Sequence, residues 1–382
     1  GRLPRTRARE RVVVAYLCGP VDGSGGAIEQ VMSETEGRVR PVGIIANPMS
    51  GKDVRRLAAR ASRVTSENKR DLVSRAVIGC AATGVERILL VREPMRIAQS
   101  AVEGMRIEAS IEFLDIGAKL DASDTQRAAL MMREQGCGAV IVLGGDGTSR
   151  AIAQVWPDAP LIPISTGTNN VFPMMVEATL AGAAAGLVAT GGVTLEEVSQ
   201  PAKVVHLERP GGEQTLAVID AVRLEGDKVG NMMPVDPGLI REVVLARAEA
   251  ASVGMSPIGG LLEPCGADDD FGVLVRCVPH SEGGQTLRVP ISPGLFQTVH
   301  IGEVRKIALG EKITIKGPGV FAFDGDREIM LEADDTIEVS VRRDGPRVIE
   351  PGKAMTLAAQ RGLLSGRGHW HDPRIQGGVD CC

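Results

Sequence analysis

The most restrictive feature of this sequence is a regular alternation of short aliphatic runs with helix-like stretches from Val42 onward. The aliphatic runs are 42–46, 87–91, 111–116, 139–143 and 161–164, and the helix-like stretches are 54–65, 69–79, 94–105, 122–135 and 148–155. Strands separated by amphipathic helices form βαβ units with a parallel sheet, and ligands bind at the carboxyl ends of such strands. The pattern predicts an α/β nucleotide-binding domain over 42–171, after a partly disordered extension over 1–41.

The pattern of apolar residues changes after residue 172. A small-residue helix is predicted over 176–190, and alternating segments separated by Gly, Pro and Asp turns follow it, which is typical of an antiparallel sandwich. The segments are 203–207, 216–224, 272–278, 286–290, 312–316, 320–324 and 336–342, interrupted by a helix predicted over 238–251. We expect a β-sandwich domain over 172–350, a helix over 351–364 that returns to the first domain, and a disordered tail over 365–382.

Composition narrows the classes of function. The 382 residues include 43 Lys and Arg, 48 Asp and Glu and only 2% aromatic residues, with a net charge of -5. Nucleic-acid binders need a basic surface or aromatic rings for stacking, so this class is disfavoured. The longest apolar stretch, 178–189, is too short to cross a bilayer. Seven cysteines without a CxxC pair fit reduced thiols, and we expect a cytoplasmic protein without membrane contact.

Three polar or Gly-rich loops of the first domain each follow a predicted strand directly. They are NPMSGKD (47–53), GGDGT (144–148) and STGTNN (165–170). Glycine lets backbone amides approach a phosphate closely, and amides at a helix N-terminus favour anions. Each loop alone could be a structural turn, but the carboxyl ends of parallel strands meet at one edge of the sheet. Together the loops predict a nucleotide site at that edge.

Acidic residues are the candidates for chemistry. Asp146, at the tip of the second loop, could take a proton from an attacking hydroxyl or bind Mg2+, and in the plainer interpretation it caps the following helix. A second acidic turn, FAFDGD (321–326), is by itself a hairpin signal, but beside a phosphate site its carboxylates could close the cleft and help to hold a metal ion. His206, His280 and His300 have no partner motif and are interpreted as packing or surface residues.

The motifs IIANPMSGKD, LGGDGT, STGTNNVFP and FAFDGDREI, in this order, resemble the superfamily of NAD kinases, diacylglycerol kinases and sphingosine kinases, in particular its ATP-NAD kinase-like branch named after acetoin-catabolism protein X. The resemblance covers about 42–364 and implies ATP and Mg2+ in a cleft between an α/β domain and a β-sandwich domain. It implies that Asp146 is catalytic and that Asp326 binds the metal. The nucleotide-binding residues that it implies are Asn47, Ser50, Gly51, Lys52, Gly144, Gly145, Gly147, Thr148, Thr166, Gly167, Thr168, Asn169 and Asn170.

The phosphoryl acceptor is less defined. True NAD kinases carry an Asn followed by an acidic residue that holds the dinucleotide, and Ile219-Asp220 stands here in its place, which makes Asp220 the candidate substrate-binding group. The acceptor pocket is expected near Asp220, Asp236 and Gly259. The sequence predicts an ATP-dependent kinase for a hydroxyl of a small molecule, with NAD as one candidate acceptor and a homo-oligomeric state. Two alternatives stay open: an inactive nucleotide-sensing protein of the same fold and a lipid kinase of the diacylglycerol type.

Overall fold

The structure, a computed structural model, describes residues 39–51, 65–167 and 169–365. Almost all of the expected extension over 1–41 and of the expected tail over 365–382 lies outside the described residues. Residues 54–64 of the helix expected over 54–65, Lys52 and Thr168 also lie outside them. Among the described helices, none combines the length and the hydropathy that a bilayer crossing requires.

The first domain alternates strands with helices. Its strands are β1 Val42–Ala46, β2 Arg87–Arg92, β3 Ser110–Asp115, β4 Ala139–Gly144, β5 Pro160–Ser165 and β6 Ser199–Pro201, and its helices are α1 Ser66–Ala81, α2 Ile97–Val102, α3 Ala122–Glu134, α4 Asp146–Val155, α5 Ala178–Ala189 and α6 Leu195–Val198. Strands β1, β4 and β5 are buried almost throughout, because aliphatic cores cover both faces of the sheet. Burial on both faces explains their continuous aliphatic sequence and confirms the α/β prediction.

The second domain is antiparallel. Its strands are β7 Val204–Glu208, β8 Gln214–Ala217, β9 Asp220–Leu224, β10 Ile240–Leu245, β11 Phe271–Cys277, β12 Gln285–Ser292, β13 Leu295–Ala308, β14 Ile313–Lys316, β15 Gly319–Phe323, β16 Asp326–Leu331 and β17 Thr336–Arg342, and a short helix, α7 Ser256–Gly260, packs beside them. The larger sheet has the order β12-β13-β11-β10-β9-β15-β16, and the smaller has the order β14-β17-β7-β8. Side chains from both sheets share one core, which confirms the predicted β-sandwich.

The chain then returns to the first domain through β18 Arg347–Ile349 and α8 Pro351–Gln360. The first sheet has the order β3-β2-β1-β4-β5-β18-β6, and only its edge strand β6 runs antiparallel within the described residues. Both β6 and α5 therefore belong to the first domain, where α5 packs against α1 and α8. The crossing into the second domain lies near residue 202 and not at residue 172, because the small residues of α5 are buried against the first domain.

Helices α1 and α5 approach each other unusually closely. A Cβ atom on Gly182 would lie 2.1 Å from the backbone oxygen of Ala76, and one on Gly79 would lie 2.1 Å from the backbone oxygen of Thr179. Helix α1 begins after Thr65, whose hydroxyl accepts a hydrogen bond from the backbone of Asn68 at 3.1 Å. The glycines thus hold α1, which carries a residue of the candidate site, firmly against the domain.

The helix predicted over 238–251 is wrong. A short 3-10 turn, Pro237–Leu239, leads into β10, and Val243, Val244 and Leu245 are fully buried between the neighbouring strands β9 and β11. β-branched side chains favour strands, and pairing along both edges outweighs the helix-favouring Leu, Ala, Arg and Glu content of this segment. Strands β6, β13, β16 and β18 were not predicted either, because β13 and β16 are partly exposed and β6 and β18 are very short.

Candidate active site

A cleft of about 370 Å³ lies between the α/β layer and the β-sandwich. The first domain lines it with the loops that follow β1, β4 and β5 and with the start of α3, and the second domain lines it with five short segments around residues 220, 234, 254, 291 and 325. Because β1, β4 and β5 are adjacent and parallel, their carboxyl ends bring the three loops together. The cleft therefore contains the polar loops and the acidic turn that the sequence analysis selected.

Most of the candidate residues face this cleft. Those that line it are Asn47, Ser50, Gly51, Gly145, Asp146, Gly147, Thr148, Thr166, Asn169, Asn170, Asp220 and Asp326. Gly144 and Gly167 are not among the lining residues, and their carbonyls accept hydrogen bonds from the backbone of Thr166 and the hydroxyl of Ser165. Asp236 and Gly259 do not line the cleft either. The segments next to them do, through Val235 and Ser256.

Hydrogen bonds tie the three loops to one another. The Asn47 side-chain amide donates to the Thr148 hydroxyl at 2.9 Å, and the hydroxyls of Ser50 and Thr166 lie 2.9 Å apart. Each bond joins loops that are about a hundred residues apart in the sequence. The loops are therefore held as one surface before any ligand enters the cleft.

A buried lysine of α1 binds the backbone of the first loop. Lys69 of α1 is fully buried, and its Nζ donates to the carbonyls of Asn47 at 2.7 Å, Pro48 at 3.2 Å and Ser50 at 2.6 Å. The ammonium binds three carbonyls of one loop and thereby fixes the shape of that loop. Sequence reasoning missed this residue, because Lys69 lies in a charged stretch of the helix and resembles a surface lysine.

Asp146 is positioned by the third loop. It is the first residue of α4, but the N-cap position belongs to Gly145, so the plainer interpretation of Asp146 as a cap is wrong. Its carboxylate instead accepts backbone hydrogen bonds from Val171 at 3.2 Å and Phe172 at 2.8 Å. Burial, and then the negative charge of Asp324, raise the pKa of Asp146 to about 7. Near neutral pH this carboxyl group can therefore both accept and release a proton.

Two further aspartates lie close to Asp146. Asp324 has a left-handed backbone with φ of 48°, and its carboxylate accepts backbone hydrogen bonds from Val218 at 2.9 Å and Ile219 at 2.8 Å. Asp220 is 8% exposed, and its buried Oδ1 has no hydrogen-bond partner within the described part of the chain. Burial and the neighbouring carboxylates raise the pKa of Asp220 well above its ordinary value, and burial also raises that of Asp324.

Arg150 balances part of this charge. Its guanidinium is almost fully buried, pairs with Glu328 of β16 and donates to the backbone oxygen of Leu216 at 2.7 Å. It also stacks 4.9 Å from the ring centre of Phe323. Its positive charge opposes the rise in the pKa of Asp324. Arg150 therefore joins α4 to the second domain at the edge of the acidic cluster.

The histidines have partners that the sequence did not reveal. His206 Nε2 lies 2.7 Å from a carboxylate oxygen of Asp344, and His280 Nδ1 lies 3.0 Å from His300 Nε2. The three histidines are half-buried or exposed, as expected for packing or surface residues, and the folded chain brings these partners together from positions distant in the sequence. The four residues of these two contacts are not among those that line the cleft.

Comparison with known proteins assigns both halves of the chain. Residues 42–193 match the family model of the ATP-NAD kinase N-terminal domain, and residues 203–344 match that of the acetoin catabolism protein X C-terminal domain. The chain is 32% identical over 338 residues to acetoin catabolism protein X of Cupriavidus necator, which covers 85% of this chain and 93% of that protein. The chain belongs to the acetoin catabolism protein X family. This membership confirms the resemblance carried by the GGDGT motif.

Solved structures similar to this acetoin catabolism protein X family member include two kinases. The yeast NADH kinase complexed with NADH is 11% identical at a TM-score of 0.49, covering 87% of this chain and 90% of that chain. A putative diacylglycerol kinase from Bacillus anthracis str. Sterne is 14% identical at a TM-score of 0.44, covering 81% of this chain and 97% of that chain.

Proposed function

We propose that this protein is an ATP-dependent phosphotransferase that acts on a hydroxyl group of a small molecule. The observation that carries the proposal is the placement of Asp146 in one cleft between the bonded loops of the first domain and the acidic turn at Asp324 of the second. The match of residues 42–193 to the ATP-NAD kinase N-terminal domain supports ATP as the phosphoryl donor.

The loops suit a phosphate chain. A Cβ atom on Gly145 would lie 2.7 Å from the Asn170 side-chain oxygen, and one on Gly144 would lie 2.5 Å from the Thr148 hydroxyl, so this turn has no room for side chains. Helix α4 also begins at the cleft, and the positive end of its dipole favours phosphate. The loops after β1 and β4, with Ser50 and Thr148, would hold the phosphates. The third loop, with Thr166 and the two asparagines, would hold the rest of the nucleotide.

The carboxylates of the cleft fit a magnesium ion that is bound together with phosphates. No group of three or more His, Cys, Asp or Glu side chains in the described ranges is placed to hold a metal by itself. Mg2+ commonly takes one or two carboxylates, with phosphate oxygens and water completing the shell. Asp326, which faces the Gly147 turn, is the residue proposed to hold it. The ion would neutralise the charge that develops on the transferred phosphoryl group.

Asp146 is proposed to take the proton from the acceptor hydroxyl. A general base works best when its pKa lies near the working pH, and the pKa of Asp146 is raised to about 7. The backbone hydrogen bonds from Val171 and Phe172 hold the carboxylate in one orientation. The remaining work of the site is positioning and charge neutralisation, which dominate phosphoryl transfer.

The proposal is tested by measuring ADP release from MgATP with a panel of hydroxyl compounds that includes NAD and acetoin. We expect Asp146→Asn to lower turnover at least about a hundredfold, because a positioned base contributes on this scale, while ATP affinity changes little. Asp334→Asn, in an exposed turn, is the matched control and should keep full activity. Full activity of the Asp146 variant would refute its role. Tight ATP binding without turnover on any compound would favour the nucleotide-sensing alternative.

A further inference from the structure

Among the described residues, the charged side chains that line the cleft are all acidic. Four aspartates line it, Asp146, Asp220, Asp324 and Asp326, and no Lys, Arg or His does so among the described lining residues. Two arginines lie nearby, but carboxylates bind both of them: Arg150 pairs with Glu328, as described above, and Arg247 pairs with Glu249 at 2.9 Å. A second anion beside the nucleotide would therefore meet repulsion from the aspartates, with no Lys, Arg or His among the described lining residues to offset it.

The wall opposite the nucleotide loops is aliphatic. Its side chains come from separate segments of the second domain: Pro234, Val235, Val253, Met255 and Ile291. The hydroxyl of Ser256, which also faces this side, is already used within the protein. It donates to the backbone oxygen of Arg247 at 2.8 Å and accepts from the backbone of Glu249 at 2.8 Å. This wall offers packing surface to a hydrocarbon body.

The segment that carries Val235 is held in place from the acidic turn. Arg327 follows Asp326 directly, and its buried side chain pairs with Asp227 and donates to the backbone oxygen of Asn231 at 2.7 Å. The Asn231 side chain donates in turn to Asp227 at 2.6 Å. These bonds join the chain segment just before Val235 to the acidic turn.

Asp220 lines the same cleft as this aliphatic wall, and its Oδ1 lacks a hydrogen-bond donor among the described residues. Its Oδ1 is buried without a partner in the described ranges, while the residue itself lines the cleft. A buried acceptor without a donor is costly, and a ligand that supplies an N–H or O–H there removes that cost. The donor has to come from a group that tolerates the neighbouring carboxylates, which means a hydroxyl or an ammonium.

On the basis of the proposed function, we infer that the phosphoryl acceptor is a small aliphatic alcohol without phosphate or carboxylate groups, and that its second polar group, an ammonium or a hydroxyl, donates to Asp220. The hydrocarbon body packs on the wall formed by Val235 and Ile291, and the reacting hydroxyl faces Asp146. NAD does not belong to this class, because its diphosphate would bring two negative charges to the acidic side of the cleft.

The inference is tested with three matched probes: 4-amino-1-butanol, 1,4-butanediol and 4-hydroxybutyrate. Each has four carbon atoms and the reacting hydroxyl, and the far end is an ammonium, a neutral hydroxyl or a carboxylate. Binding is measured by ligand-observed NMR in the presence of Mg2+ and a non-hydrolysable ATP analogue. We expect the amino alcohol to bind best, the diol next, and the carboxylate at least about tenfold more weakly than the amino alcohol. Asp220→Asn should abolish the preference for the amino alcohol over the diol.

A second variant keeps the test independent of Asp220. Val235→Lys places a cation on the partly exposed wall, which tolerates a long side chain, and it should shift the preference toward 4-hydroxybutyrate. Best binding of the carboxylate by the unmodified protein, or binding of none of the probes, would overturn the inference. The predicted order of binding without any ADP release would leave the inferred class of ligand standing and would contradict the proposed phosphotransferase activity, and with it the role of that ligand as the acceptor.

Discussion

Replacing Asp146 with asparagine should remove activity and at the same time stabilise the fold at neutral and alkaline pH. The pKa of Asp146 rises from an ordinary 3.8 to about 7, because the folded protein buries the carboxyl group beside Asp324. The folded state therefore binds a proton that the unfolded chain has already released. The contribution of Asp146 to stability is fully present below pH 3.8 and is lost as the pH rises toward 7.

The size of the effect follows from the proton linkage. At about 1.4 kcal/mol per pKa unit, the full rise would cost about 4 kcal/mol above neutral pH, and about 3 kcal/mol of this would be lost between pH 5 and pH 8. Asp146 keeps some contact with solvent in the open cleft, so we expect roughly half of this value, about 1 to 2 kcal/mol. Asparagine can still accept the hydrogen bond from Phe172, and losing the one from Val171 costs the same at both pH values.

The assay is urea unfolding of the parent protein and of Asp146→Asn at about pH 5 and about pH 8. The free energy of unfolding of the variant, relative to the parent, should rise by about 1 to 2 kcal/mol between the two pH values. Asp334→Asn, in an exposed turn, should show no such rise. A relative stability that stays constant or falls with pH would refute the electrostatic origin that we assign to the raised pKa.

Three further substitutions test the supports of the site. Gly182→Ala should lower the free energy of unfolding by at least about 2 kcal/mol, because the new Cβ would meet the Ala76 carbonyl. Gly352→Ala, in the open first turn of α8, is the control and should be neutral or slightly stabilising. Urea unfolding measures both effects. Lys69→Met should destabilise by about 2 to 4 kcal/mol, because it leaves loop carbonyls unpaired, and should weaken ATP binding in a titration. Arg150→Met should destabilise by about 3 kcal/mol, and more at pH 8 than at pH 5, because the neighbouring aspartates lose their compensating charge. A larger loss at pH 5 would contradict that reasoning.

The strands and helices of the first domain could be predicted from the sequence because the patterns that indicate them are local. Strands buried on both faces give continuous aliphatic runs, and helix ends follow cap chemistry, as at Asp121, whose side chain accepts from the backbone of Ser123 at 2.9 Å, and at Gly136, which has φ of 70°. The secondary structure of the second domain was predicted less accurately. The segment 238–251 is rich in Leu, Ala, Arg and Glu, which favour helices, and only pairing with strands distant in the chain makes residues 240–245 the strand β10.

The sequence by itself determined the α/β domain, the β-sandwich and the three loops, since periodicity and glycine content depend on neighbouring residues. The placement of GGDGT after a buried strand also indicated Asp146 as the reacting carboxyl group. Only the tertiary structure decided that Lys69 lies under the first loop, that Arg150 balances the acidic cluster, and that Asp220 keeps a buried oxygen without a partner. These roles depend on burial and on distances between residues far apart in the chain, which local patterns do not encode.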